Sequence, residues 1–283
     1  MSGNKEVIYT SASEVRNITG MISKIIREFP LAREIGWRLA VRDIRSMYRQ
    51  TFLGISWAVI MPLINTATWL FLKGSGIVNL KGTEIPYTVY VVTGTMLWQI
   101  FSESLQSPVK QLNDAKVILS KINLPKESII IAGMLKVAFN SIIRIGFILA
   151  IVFIFGIFSG WSLLLFPLTI ISIIFFGTAL GLLFAPLGTL YNDIGRGLQI
   201  IATFWMYISP VVFAMPDKAW ALKIFKLNPM TYLISCSRDM VTGIRFEQWS
   251  EFLYINLAML VILFISWILY RISMPVIIER MSA

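Results

Sequence analysis

The chain has 283 residues, 57% hydrophobic and 14% charged, against roughly 45–50% and about 25% in an ordinary soluble domain. One core could not bury so much apolar side chain, so a soluble enzyme is excluded. With no histidine and one cysteine, Cys236, a His base, a His metal ligand, an intrachain disulfide and a cysteine metal cluster are excluded too.

The first fifty residues are polar and charged, so the first apolar stretch is expected to act as an uncleaved anchor with no secretory signal ahead of it. Residues 31–50 read as an amphipathic helix, with Pro30 suited to its start. At 100° per residue, Arg38, Arg42, Arg45 and Arg49 share an arc of about 60°, and Trp37, Ala40, Val41, Ile44, Met47 and Tyr48 cover about 120° on another side. Such a helix lies in the membrane interface. It is either a plain anchor or a lever between a cytoplasmic partner and the first span, entered by a turn at 51–54.

A helix needs about 20 mostly apolar residues to cross the hydrocarbon, and charge-free windows suited to that lie at 50–72 and 85–102. The connection that follows, 108–127, is mixed in charge, with Lys110, Asp114, Lys116, Lys121, Lys126 and Glu127. Val117, Ile118, Leu119 and Ile122 recur in it at helical spacing, and Asn123-Leu124-Pro125 ends the pattern. The short helix so predicted is either a solvated loop or a docking surface.

Residues 145–192 carry no charge at all, too long a stretch for one span. Phe158-Ser159-Gly160-Trp161, followed by Pro167, supplies a turn in its middle. This gives two helices, the first beginning near Ser128 and carrying Lys136 and Arg144. A turn at 191–197 follows, in which Asp193 and Arg196 either pair locally or meet headgroups, and then the windows 197–216 and 252–270. Between these two, 215–250 is too polar to span yet rich in Trp220, Ile224, Phe225, Leu227, Tyr232 and Leu233. Asn228-Pro229 splits it into two amphipathic pieces that lie on or dip into the outer half of the membrane, as a lid over a pathway.

The fold class expected is thus an all-α integral membrane protein, a single transmembrane domain over 1–283. It comprises a cytoplasmic N-terminus with the interfacial helix (1–53), a six-span core (54–273) with short re-entrant helices before the last span, and a cytoplasmic tail (274–283). With both termini cytoplasmic, the inside segments hold 16 Lys and Arg and the outside ones 7, which fixes the orientation. The net charge of +10 then reflects topology and anionic membrane lipids, and no nucleic acid is expected as a partner.

Lys136 and Arg144 are the exceptional charges within the spans, at roughly 2.5–3.5 kcal/mol each on a lipid-facing surface. Lys136 either snorkels to the cytoplasmic interface or faces inward, and Arg144, two turns deeper, is the better pathway or subunit contact. No carboxylate is expected within a span; Glu103, Asp114, Asp193, Glu251 and Glu279 are placed at edges or outside. No G-x-x-x-x-G-K-[ST] loop occurs, so the energy for transport is expected from another protein, and this chain is expected to be no enzyme. Trp69, Trp161 and Trp267 read as interface belts, while Trp57, Tyr90, Trp98, Trp205 and Tyr207 could offer aromatic planes to sugar rings on an inward face.

The run 41–57, with Arg42-Asp43, Arg49, Thr51, Leu53-Gly54 and Trp57, resembles the start of permease subunits of type-2 ABC exporters for polysaccharides. Three further stretches resemble that family in order and position: Lys121-Ile122-Asn123-Leu124-Pro125-Lys126-Glu127, Tyr191-Asn192-Asp193-Ile194, and Asn228-Pro229 through Arg238-Asp239 to Gly243. The second departs from the family in having Asn192 where Arg is common.

The resemblance implies a homodimer in a bacterial inner membrane with two separate ATPase subunits, which hold the ATP and Mg; no cofactor is expected on this chain. It implies a lipid-linked polysaccharide of O-antigen, capsule or teichoic acid type as cargo. Arg38, Arg42, Arg45, Arg49, Lys116, Lys121, Asp193 and Arg196 would couple to the ATPase, and Asn228, Pro229 and Arg238 would belong to an outer gate. The other readings are a secondary carrier or flippase of lipid-linked glycans, ion-coupled or uncoupled, and a membrane scaffold without transport.

Overall fold

A computed structural model describes residues 18–49, 56–76, 85–122, 124–157 and 160–282. The turn expected at 51–54, Lys81, Asn123 and residues 158–159 of the mid-stretch turn lie outside the described residues. The chain is all-helical, with no strand among the described residues. In order come α1 (Ile18–Arg49), α2 (Trp57–Gly74), α3 (Tyr87–Asp114), α4 (Lys116–Lys121), α5 (Glu127–Ile154), a 3-10 turn (Trp161–Leu165), α6 (Phe166–Leu190), α7 (Asn192–Tyr207), α8 (Ala219–Leu227), α9 (Pro229–Thr242) and α10 (Trp249–Ser282).

Among the described residues, three stretches are long and apolar enough to cross a membrane: Glu127–Ile154, Trp161–Leu190 and Trp249–Arg280, with mean hydropathies of 2.3, 2.4 and 2.4. The other three expected spans are also helical, but α2 has 18 residues and α7 only 16, and α3 carries many polar side chains.

α3 is the centre of the bundle, packed on one side by α6 and on another by α5. Its contact with α6 is close because α6 offers glycines. A Cβ on Gly181 would collide with the Leu105 carbonyl oxygen, and one on Gly177 would stand 2.6 Å from Ser104 Cβ. Small residues of this kind let helix backbones approach inside a membrane. α10 covers the other side of α6, and α1 lies along α5.

Several expectations are corrected. α1 does not begin at Pro30 but runs through it from Ile18. The turn before the proline is held in place, with Glu28 reaching Arg271 of α10, so the missing backbone donor does not end the helix. The seam that α1 buries overlaps the expected apolar side at Ala40. Ala32, Gly36 and Ala40, four residues apart, lie against α5, whereas Trp37 is 59% exposed. A Cβ on Gly36 would stand 2.9 Å from the Ser128 carbonyl oxygen.

The second correction concerns α3, which continues twelve residues beyond Ser102, through Pro108, to Asp114. Leu105, Val109 and Leu112 extend its buried face, so packing rather than the first charge sets its end. Glu103 is therefore mid-helix and not at an edge. The segment 191–197 is likewise the first turns of α7 and not a free loop.

Candidate functional site

Three polar clusters stand along the bundle. The first joins the segment 208–213 to α3 and α9. The Asn228 side chain accepts from Met230 N at 3.0 Å, which caps α9, and Pro229 occupies the first turn, where no amide donor is needed. The same oxygen accepts from Trp205 Nε1 at 2.9 Å, and Asn228 Nδ2 donates to Ile208 O at 2.8 Å and Ser209 Oγ at 2.7 Å. One amide thus ties the end of α7 to the start of α9.

Ten residues on, Arg238 is 4% exposed and donates to Pro210 O at 2.7 Å, Val211 O at 3.3 Å and Thr93 Oγ1 at 3.3 Å. Its guanidinium lies 3.6 Å from the Tyr90 ring centroid, and Tyr90 Oη donates to the Pro210 and Phe213 carbonyls. Gly94 makes room, since a Cβ there would collide with Val211 O. Arg238 satisfies carbonyls that the irregular backbone leaves open, and a cation serves best there because every one of its donors points outward from a fixed fork. A cavity of about 700 Å³ adjoins it, lined by Asp217, Ser235, Asp239, Arg245, Glu247 and Gln248 among others.

The second cluster is mid-helix. Arg144 Nη1 lies 2.6 Å from Glu103 Oε2, and Asn140 Nδ2 donates to Glu103 Oε1 at 2.5 Å. One turn of α5 nearer its start, Lys136 Nζ donates to Gln111 Oε1 at 3.2 Å, and Gln111 Nε2 reaches Asp43 Oδ2 of α1 at 3.4 Å. These groups, with Arg42, Lys110 and Asp114, line a cavity of about 440 Å³ where α1, α3, α4 and α5 meet.

The third cluster binds three helices. Arg271, 3% exposed, meets Glu127 at 2.9 Å and Glu28 at 3.3 Å, and Tyr270 Oη donates to Lys126 O at 2.7 Å. A buried arginine needs such partners, because an unpaired charge there would cost several kcal/mol, on the order of 3–5.

The residues expected to couple to a partner are scattered on the surface. Arg38, Arg42, Arg45 and Arg49 are exposed on the side of α1 away from its seam, with Arg38 pairing locally with Glu34 and Arg42 with Asp43. Lys121, Asp193 and Arg196 are exposed and Lys116 is half-buried.

Of the expected pathway aromatics, Tyr90 and Trp98 are buried within the subunit, Trp205 is half-buried against Trp98 and Phe101, and Trp57 and Tyr207 are exposed. Trp161 is 88% exposed, whereas Trp69 packs edge-on to Tyr207 and Phe213. Sequence reasoning missed Glu28 and Arg271 and assigned Glu103 and Glu127 no partner. Arg271 was visible as a charge next to the last apolar window, but its partners lie 144 and 243 positions away.

The described residues, all helical with three long apolar helices and polar clusters between them, have the architecture of an integral membrane protein. The particular family follows from comparison: residues 36–242 match the model of the ABC-2 type transporter, and the chain belongs to that family. It is 21% identical over 215 residues to the O-antigen export system permease protein RfbA of Myxococcus xanthus, covering 75% of this chain and 82% of that one. It is 23% identical over 222 residues to the protein of the same name from Klebsiella pneumoniae, covering 76% and 83%. To the polysialic acid transport protein KpsM of Escherichia coli it is 23% identical over 237 residues, covering 82% and 91%. The chain is thus similar to permease subunits of polysaccharide exporters over most of their length.

Proposed function

We propose that this chain is the membrane-spanning subunit of an ATP-driven exporter that carries a lipid-linked polysaccharide, of O-antigen, capsule or teichoic acid type, across a bacterial inner membrane. Two copies form the transport unit, with six spans each and both termini in the cytoplasm. Two separate ATPase subunits bind ATP and Mg and dock on the cytoplasmic side.

The observation that carries the reading is the family match over 36–242 together with relatives named for polysaccharide export. The geometry of α1 supports it. Its seam of Ala32, Gly36 and Ala40 fixes it to α5, and Arg38, Arg42, Arg45 and Arg49 face outward, Arg38 and Arg42 in local pairs with Glu34 and Asp43 for which an acidic surface would compete. Asn228, Pro229 and Arg238 hold the short helices α8 and α9 against α7 and α3, as a gate over the exit would need. Co-expression with a candidate ATPase subunit is the test. The two should co-purify, and deletion of this chain should abolish surface glycan; no complex together with undiminished export would overturn the reading.

A further inference from the structure

α3 is the central helix of the bundle, yet one side of it is polar along more than half its length. At 100° per residue, Gln99, Ser102, Glu103, Gln106, Lys110 and Asn113 fall within an arc of about 100°, and none of the six is buried. Around the rest of the circumference Leu97, Ile100, Phe101, Ser104, Leu105 and Leu112 are at most 2% exposed. The polar face lies between α5 and α7. On one flank Gly133 of α5 approaches Ser107, and on the other Gly195 of α7 approaches Val109.

The face is only partly satisfied from within. Gln106 donates to Ser102 at 3.0 Å, Glu103 is met by Arg144 and Asn140, and Asn113 donates to the Gly188 carbonyl at 3.2 Å, but the buried oxygens Asn113 Oδ1 and Asn140 Oδ1 accept no hydrogen bond among the described residues. Glu103 and Arg144 are each ten or more residues from either end of their helices, about 15 Å at 1.5 Å per residue, and so lie deep in the bundle. Lipid cannot satisfy such a row of amides, hydroxyls and charge, and each unpaired group would cost several kcal/mol there. Water can.

We propose that this face of α3 lines a water-filled passage for the exported chain, and that Arg144 cancels the Glu103 charge at its middle. With that charge neutralised, what the face offers over 99–106 is hydrogen bonding by amides and a hydroxyl without net charge. That chemistry is suited to a hydrated, hydroxyl-rich polymer and offers no fixed site for an ion. The proposal rests on the exporter reading above and names the surface along which the glycan moves.

The single, buried Cys236 makes the test direct. In a Cys236→Ala background, Gln99→Cys, Ser102→Cys and Gln106→Cys are compared with Leu253→Cys and Phe264→Cys, which are exposed on the apolar helix α10. The proteins are labelled in membranes, with the ATPase co-expressed, using a charged, membrane-impermeant methanethiosulfonate. Only a thiol that can ionise in water reacts well, so the α3 positions should label at least about ten-fold faster than the α10 positions. Reaction only with a lipophilic maleimide would mean that the face looks onto lipid, and reaction with neither reagent that it is sealed in protein; either overturns the proposal. Fast labelling in a protein that binds no ATPase would keep the passage and overturn the exporter reading instead. In a second assay, Arg144→Ala should lower export about ten-fold, the effect of about 1.4 kcal/mol, and Glu103→Gln combined with Arg144→Gln should restore it. Failure of the neutral pair to restore export would overturn the role given to Arg144.

Discussion

The side chains that fix this molecule are polar, few and shared between helices. Asn228 makes four hydrogen bonds to three different parts of the chain, so Asn228→Ala should remove a cap and leave the half-buried Trp205 indole and the Ile208 carbonyl without their partner. A loss of about 2 kcal/mol is expected, read as a lower melting temperature of the purified protein in detergent.

Arg271→Ala should be more severe, because it strands the Glu127 carboxylate, itself 5% exposed. About 3–5 kcal/mol is expected for the broken pair. Adding Glu127→Gln to Arg271→Ala should recover part of the yield of folded protein, measured by size-exclusion chromatography. A merely exposed ion pair would give neither effect.

At the scale of the helix, the two faces of α1 make separable predictions. Gly36→Leu should lift α1 from α5, since even a Cβ would meet the Ser128 carbonyl and Ile131. Replacing Arg38, Arg42, Arg45 and Arg49 together by Gln should leave the fold intact but weaken ATPase capture, read as at least about a ten-fold loss in co-purified partner, the equivalent of about 1.4 kcal/mol.

Much of this was legible in the sequence, and the exceptions are instructive. The arginine stripe, the division of α8 from α9 at Asn228-Pro229 and the inward placement of Arg144 follow from periodicity, a turn dipeptide and the cost of charge in lipid. The true start of α1 and the extension of α3 to Asp114 do not. Both are set by contacts with helices far along the chain, Arg271 for α1 and the glycines of α6 for α3. For the same reason Glu103 could be read as an edge residue: its partners Asn140 and Arg144, 37 and 41 positions away, give the reason for its depth.

At the scale of the whole molecule, the apolar surface is itself informative. On α10, Leu253, Leu257, Leu260, Val261 and Phe264 are all more than half exposed, and on α7 Ile200, Ile201 and Phe204 are too. The Leu253→Asp and Phe204→Asp variants separate their surroundings. An aspartate on α10 should block membrane insertion, whereas one on α7 should leave insertion intact, read as the membrane-bound fraction of each variant.

The knot at Asn228 also has a mechanical meaning. α7 has 16 residues and so is a rod about 24 Å long at 1.5 Å per residue. One end carries the exposed Asp193 and Arg196, and the other is lashed to the helix that begins at Pro229. A stiff rod with a load fastened at its tip converts rotation into travel. Pivoted at its far end, a tilt of about 5° displaces that tip by about 2 Å. Spin labels on Arg196 and Lys226 should therefore change their separations from a fixed site on α6 in concert during ATP turnover, and cutting the lashing with Asn228→Ala should uncouple them.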